Sequence, residues 1–304
     1  MDSLTHAIVA AILTEALGLP QLLPFVVLGA VIIDADILFS FFSRHQPSLY
    51  LFIHGGIAHS LAGAVAMSAL AYAGIALAAL AGLTNPVLSW GAGVTGFLAV
   101  LAGAFLHLAM DLPATPGIPL LAPASDRKYA FFILPGPSIL LMAVSLFFAV
   151  WMALGVVTLA EGMVAYAAIF VAFLLVRVVA FLASRPGLEG AVRVIPQVNP
   201  LRWLAIYDHG DSWEVEEYRI GSGRAGHMVY PKSTNISENE VVPYLSLPEV
   251  RRLRYHSYII TAGRDGGAIT FSDPLRVSGR IFYPPHYKQV RVPGRGPAAA
   301  SSPG

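Results

Sequence analysis

The chain has 304 residues, of which 56% are hydrophobic and 12% charged, with a formal net charge of +1 and no cysteine. That charge content is about half of what a soluble domain carries, which argues against an ordinary soluble enzyme and for a membrane protein. Near-neutrality names no nucleic-acid partner, and the lack of thiols removes disulfide and thiolate chemistry.

The charges are unevenly placed. Residues 1–184 hold 4 Lys/Arg and 7 Asp/Glu, whereas residues 185–304 hold 15 and 11, which sets a domain boundary near Arg185. Met1–His6 lacks the basic start of a signal peptide and the first apolar run carries Glu15, so this segment reads as retained. A spanning helix needs about 20 apolar residues at about 1.5 Å each. Six candidates follow in order, at 5–18, 21–43, 56–82, 87–112, 137–160 and 162–184, the first of them short. With six crossings, the termini and the loops 43–50 and 113–136 share one side with Arg44, Arg127, Lys128 and Arg185, while the other side has Glu161 and no cation. The excess of cations marks the cytoplasmic side, so an inner or plasma membrane protein with both termini in the cytoplasm is expected.

The 113–136 loop contains Pro113, Pro116, Pro119, Pro123 and Pro135, which deny it a helix, and its Ile118-Pro119-Leu120-Leu121 stretch suits either an interfacial cap or a rigid connector. Residues 185–292 read as a small cytoplasmic β-rich domain. Strands are expected at 203–208, 213–220, 258–262, 268–272, 276–282 and 286–292, with turns at His209-Gly210-Asp211 and Arg264-Asp265-Gly266-Gly267 and a helix at 247–255. Arg251, Arg252 and Arg254 read as a solvated face, His209, His227, His256 and His286 lack metal-ligand spacing, and 293–304 reads as a disordered tail.

The functional signal lies in the helices. His6, Asp34, Asp36, His54, His59, His107 and Asp111 all fall toward the cytoplasmic ends of four different segments. An ionised carboxylate in hydrocarbon costs several kcal/mol unless paired or bound to a cation, and one divalent ion, or two, neutralises acids while using imidazole nitrogens as ligands. His107 and Asp111 stand i,i+4 on one helix face. Asp34 and Asp36 point about 200° apart on an ideal helix, so both serve one site only if the helix unwinds or two ions flank it. Gly55 and Gly56 loosen the backbone between His54 and His59. Asp2 and Ser3 are helix-capping types, and Glu15 and Arg177 have no companions of ligand type.

The set Thr5-His6, Asp34-x-Asp36, His54-Gly-x3-His59-Ser60, His107-x3-Asp111 and Thr115-Pro116-Gly117-Ile118-Pro119-Leu120-Leu121-x-Pro123 resembles the YdjM-like family of membrane-bound metal-dependent hydrolases. Asn199-Pro200-Leu201-Arg202-Trp203 resembles the motif that opens a soluble extension in some members. Ile33 stands where that family usually has proline, and Gly55 and Ala58 replace an Arg and a Thr, so the arginine that would clamp a phosphate is lost while every ligand-type residue remains. A more distant similarity is to zinc-dependent phospholipase C-like proteins.

These resemblances imply hydrolysis of a phosphoester or lipid headgroup at the membrane. The cofactor would be a divalent metal, Zn, Mn or Fe, with Asp36 or Asp111 as the base. A metal-ion or proton transporter and a scaffold with a structural metal are the alternatives. HExxH, GxSxG and Walker signatures are missing.

Overall fold

The computed structural model describes residues 1–83, 93–156, 158–281 and 287–294. The start of the 87–112 candidate, Phe282 and His286 at the ends of two expected strands, and residues 295–304 of the expected tail lie outside the described residues. Two compact units are present. One comprises Met1–Arg44, Leu51–Ala183 and Pro196–Leu201, the other His45–Tyr50, Ser184–Ile195 and Arg202–Gly304.

The first unit is helical. Helix α1 (Ser3–Ala16) begins at Asp2, whose carboxylate accepts from Thr5 N at 3.0 Å and satisfies one of the first orphan amides. The second apolar segment changes character along its length. Helix α2 (Leu23–Ile32) tightens into a 3-10 stretch at Ile33–Phe39 before α3 (Ser40–His45). After the turns of residues 47–59 come α4 (Leu61–Leu80), α5 (Val94–Asp111), α6 (Ile139–Ala153) and α7 (Leu159–Ser184).

Four segments are long and apolar enough to cross a membrane: Pro20–His45, Leu61–Leu80, Val94–Asp111 and Ala160–Leu188. The other two expected spans are the shorter helices α1 and α6, of 14 and 15 residues. At about 1.5 Å per residue these reach roughly 21–23 Å, against a hydrocarbon core of about 30 Å. Helix α6 stops early because Gly155 takes φ +68, the left-handed conformation that closes a helix C-terminus.

Helices α2 and α5 are pressed backbone to backbone. A Cβ on Gly29 would sit 1.9 Å from the Val100 carbonyl oxygen, and one on Gly103 2.0 Å from that of Val26. Small residues allow such approach in apolar surroundings, and here they bring the turn carrying Asp34 and Asp36 to the end of α5 carrying His107 and Asp111. The 113–136 loop closes on itself through bridges at Ala114–Leu134 and Ile118–Tyr129, and Leu120 O accepts from Leu61 N at the head of α4. Its Ile118 packs with Ile33, Ala58 and Leu108, apolar neighbours of the acids and histidines.

The second unit holds two four-stranded sheets. The first is ordered β1 (Arg193–Pro196), β2 (Arg202–Asp208), β3 (Ser212–Arg219), β4 (Gly223–Pro231). The second is ordered β5 (Ser233–Thr234), β6 (Thr261–Asp265), β7 (Ala268–Ser272), β8 (Gln289–Pro293). Hairpins form at both expected turns, His209–Asp211 and Gly266–Gly267. Short helices α8 (Glu238–Val241), α9 (Pro248–His256) and α10 (Pro274–Val277) complete the unit.

Two expected strands are corrected. The 258–262 strand begins at Thr261 instead, because Tyr258 and Ile259 are spent as core residues beside Leu204 and Ile206. Residues 276–282 do not start a strand: Asp273 caps Leu275 N and Arg276 N, Pro274 occupies the first turn, and α10 results. Strands β1 and β4 were not anticipated, the latter because its first half, Arg224–His227, is exposed on both faces and only Met228 and Tyr230 pack on the core. The basic face of α9 is also more structured than expected, with Arg251 over the Tyr50 ring at 4.9 Å and Arg252 over Tyr287 at 4.4 Å.

Candidate metal centre

Four stretches of the helical unit deliver the seven acids and histidines to one place. The N-terminal turn of α1 supplies His6. The 3-10 stretch supplies Asp34 and Asp36, the turn before α4 supplies His54 and His59, and the last turn of α5 supplies His107 and Asp111. The local geometry follows from the sequence. Gly55 takes φ +74, and Gly56 lies so close to the Leu51 carbonyl that a Cβ would meet it at 2.0 Å, so the chain between the two histidines folds tightly. His107 and Asp111 share a helix face as the i,i+4 spacing requires, with Nε2 3.3 Å from Oδ2.

The hydrogen bonds fix which nitrogens carry protons. His107 Nδ1 faces the Ala30 carbonyl oxygen at 2.6 Å, an atom that only accepts, so Nδ1 holds the hydrogen and a neutral ring leaves Nε2 as a lone pair. His59 Nδ1 donates to Asp36 Oδ2 at 2.9 Å, which leaves its Nε2 in the same state. These two Nε2 atoms face one another at 3.2 Å, while Asp34 Oδ1 lies 3.5 Å from each. Asp111 Oδ2 lies 3.4 Å from His59 Nε2 and 3.3 Å from His107 Nε2. With both rings neutral, two imidazole lone pairs and two carboxylate oxygens converge on one point. With metal–ligand bonds of about 2.0–2.1 Å, ligand atoms in a tetrahedral set stand about 3.3–3.4 Å apart; the two Nε2 atoms form one triangle of such edges with Asp34 Oδ1 and a second with Asp111 Oδ2, at 3.2 to 3.5 Å.

Further buried atoms stand in the same condition. Asp34 Oδ1 and both ring nitrogens of His6 make no hydrogen bond, although His6 Nε2 lies 3.4 Å from Asp111 Oδ1 and its ring stacks on His107 at 3.8 Å. Buried polar atoms of this kind are rarely left unsatisfied, and a cation is a partner that suits the Asp34 oxygen and the acceptor nitrogen of the His6 ring. Three groups among the described residues have the proximity to hold a metal ion: His6, His107 and Asp111; Asp34, His59 and His107; and Asp36, His54 and His59.

Asp36 differs from the other acids. Its oxygens accept from His54 Nδ1 at 2.9 Å, from His59 Nδ1 at 2.9 Å and from Gly55 N at 3.2 Å, so it is occupied in orienting two rings. The geometric puzzle of Asp34 and Asp36 is resolved by His59, whose Nε2 edge faces Asp34 and whose Nδ1 edge faces Asp36. His54 is the exposed member, its side chain 32% accessible against 1% or less for His59 and His107.

Two contacts of the site went unseen in the sequence: Ser3 Oγ donates to Asp34 Oδ2, and the Met1 amino group contacts Asp111 Oδ1. Their partners lie 31 and 110 residues away, and no local signal could have marked them. Asp2 acts as the helix cap expected of it, accepting from Thr5 N and Thr5 Oγ1.

A bundle of apolar helices with a buried centre of imidazoles and carboxylates, followed by a region of two sheets, defines a membrane protein with the makings of a metal site. The chain belongs to the YdjM inner membrane protein family, whose pattern matches residues 1–184. No curated protein and no solved structure matches it.

Proposed function

We propose that this protein is a membrane-embedded, metal-dependent hydrolase acting on a phosphoester or lipid headgroup at the cytoplasmic leaflet, with both termini in the cytoplasm. The observation that carries the reading is the convergence of four buried ligand-type atoms: His59 Nε2 and His107 Nε2 stand 3.2 Å apart, with Asp34 Oδ1 3.5 Å from each and Asp111 Oδ2 3.4 and 3.3 Å from them. These four residues would hold one ion, with His6 beside Asp111, and the mixed N/O set suits Zn, with Mn or Fe compatible. The group Asp36, His54 and His59 would take a second ion only in place of the two ring N–H groups that Asp36 now accepts. A divalent ion held by Asp34, His59, His107 and Asp111 would lower the pKa of a water toward about 7 and polarise a phosphoryl oxygen.

The protein's own groups then divide the work. Asp36 holds the His54 ring by its Nδ1, which leaves Nε2, on the exposed side of the cluster, as the proton carrier, so Asp36 acts through His54 and Asp111 acts as a ligand. His59 is fixed from behind by the same carboxylate, and His107 by the Ala30 carbonyl. The surrounding Ile33, Ala58, Ala104 and Leu108 exclude water and strengthen every charge interaction in the site.

Purified full-length protein from metal-supplemented growth is expected to carry at least one transition metal per chain by elemental analysis. It should also release phosphate or headgroup from a panel of lipids, an activity lost in His59→Ala. Metal-free protein after supplementation would overturn the reading. Metal uptake into liposomes without turnover would favour a transporter.

A further inference from the structure

Arg177 stands inside the apolar helix α7, yet its side chain is buried, with 4% of the residue exposed, and no acid pairs with it among the described residues. Its guanidinium donates instead to two backbone carbonyls, Nη1 to Gln197 O at 2.9 Å and Nη2 to Val198 O at 2.6 Å, and lies 5.5 Å from the Phe173 ring centre. The segment that supplies those carbonyls, Pro196–Leu201, is grouped with the helical unit and not with the sheets that flank it in sequence.

The depth of this contact follows from helix dimensions. Helix α7 has 26 residues, about 39 Å at 1.5 Å each, which exceeds the roughly 30 Å hydrocarbon core by a few Å at either end. Arg177 is seven residues before Ser184, about 10 Å from that end, so a helix centred in the hydrocarbon core would hold its Cα several Å inside the boundary. A lone guanidinium there must find acceptors, and the segment brings them to it.

Part of the segment's backbone needs no water. Pro196 and Pro200 have no N–H to satisfy, Leu201 N donates to Asn199 Oδ1 at 2.9 Å, and the carbonyls of Gln197 and Val198 are taken by Arg177. Its apolar side chains nevertheless face outward: Val198 is 75% exposed and Leu201 45%, comparable with Val176 and Val179 on the lipid side of α7 at 57% and 64%.

We propose that residues 196–201 form a membrane-inserted wedge, tethered to the spanning helix by Arg177, with Val198 and Leu201 seated in the acyl layer of the leaflet at the C-terminal end of α7. The occupant of this exposed apolar face is lipid. Continuity with a spanning helix and the backbone economy of the segment select it over a second protein. The inference is independent of any metal at the centre.

The lack of native cysteine makes the test clean. Full-length Val198→Cys, labelled with an environment-sensitive fluorophore and reconstituted in phosphatidylcholine/phosphatidylglycerol vesicles, is compared with Val179→Cys on α7 and Ser222→Cys in the exposed turn between β3 and β4. The Val198 label is expected to follow Val179, quenched by spin-labelled lipid and several-fold less sensitive to iodide than the Ser222 label. Iodide quenching equal to that at Ser222 would overturn the insertion. In an Arg177→Met background the Val198 label should move toward the Ser222 value, and a label that stays buried there would overturn the tether. If that variant fails to fold, the wild-type background decides the insertion alone.

Discussion

Each unit of the molecule buries acids beside potential cations, and the two arrangements differ in their bookkeeping of protons. In the sheet unit, Asp273 and Arg276 are 0% and 1% exposed. Asp273 Oδ1 accepts from Leu275 N and Arg276 N, Oδ2 accepts from Arg276 Nη1 at 2.8 Å, and Arg276 Nη2 donates to His256 O. The carboxylate is fully used by protein donors. In the helical unit, Asp34 Oδ1, His59 Nε2, His107 Nε2 and Asp111 Oδ2 face one another, four acceptors when both rings are neutral. Burial of charge therefore does not separate a structural pair from a ligand site, and the balance of donors against acceptors does.

The comparison breaks first at His107. Replacing it by alanine removes one of the four converging atoms, and the metal content of purified protein should fall to background, a loss larger than the 10–100-fold typical of an outer-shell partner. The helical signal in circular dichroism should persist. Retention of full metal occupancy would refute the four-atom centre.

Asp273→Ala should act only on the other side of the comparison. It leaves Arg276 buried without its carboxylate, at a cost of about 3–5 kcal/mol. That loss should be seen in unfolding followed by Trp203 and Trp213 fluorescence while metal content stays unchanged. Joint replacement by Asp273→Leu and Arg276→Met should recover much of it. Burial pushes the Asp273 carboxyl above the ordinary carboxylate range, with Arg276 pulling the other way. The folded unit thus holds that proton to higher pH than the unfolded chain, so this group's contribution to stability is lost as pH rises through the folded range. Asp273→Asn should remove that slope, and a stability curve that keeps it would assign the slope to another group.

The smallest effect is expected at Asp36, where asparagine keeps the shape but weakens its hold on the His59 and His54 rings. Metal affinity should drop about 10–100-fold with stoichiometry preserved at saturating metal. Loss of stoichiometry instead would make Asp36 a ligand in its own right.

Much of this was legible before any fold was known. Apolar runs located the helical half, and the turn residues at His209–Asp211 and Gly266–Gly267 located two hairpins. The His107–Asp111 spacing fixed one helix face, because these features depend only on local geometry. The hidden features are of another kind. The Asp34–Asp36 spacing raised an unwound helix as one of two alternatives, but only the structure chose it, with a 3-10 stretch from Ile33. Residues 276–282 carry strand-forming types, yet the Asp273 cap and Pro274 turned their start into helix.

The sequence by itself determined that acids and imidazoles sit at matching ends of several apolar segments, since hydropathy and spacing are properties of the chain alone. Only the tertiary structure decided what each one does. The glycine contact of α2 with α5, the ring of His59 between Asp34 and Asp36, and the Ala30 carbonyl behind His107 join residues far apart in sequence. Proton placement and ligand spacing arise from those joins, which no local pattern encodes.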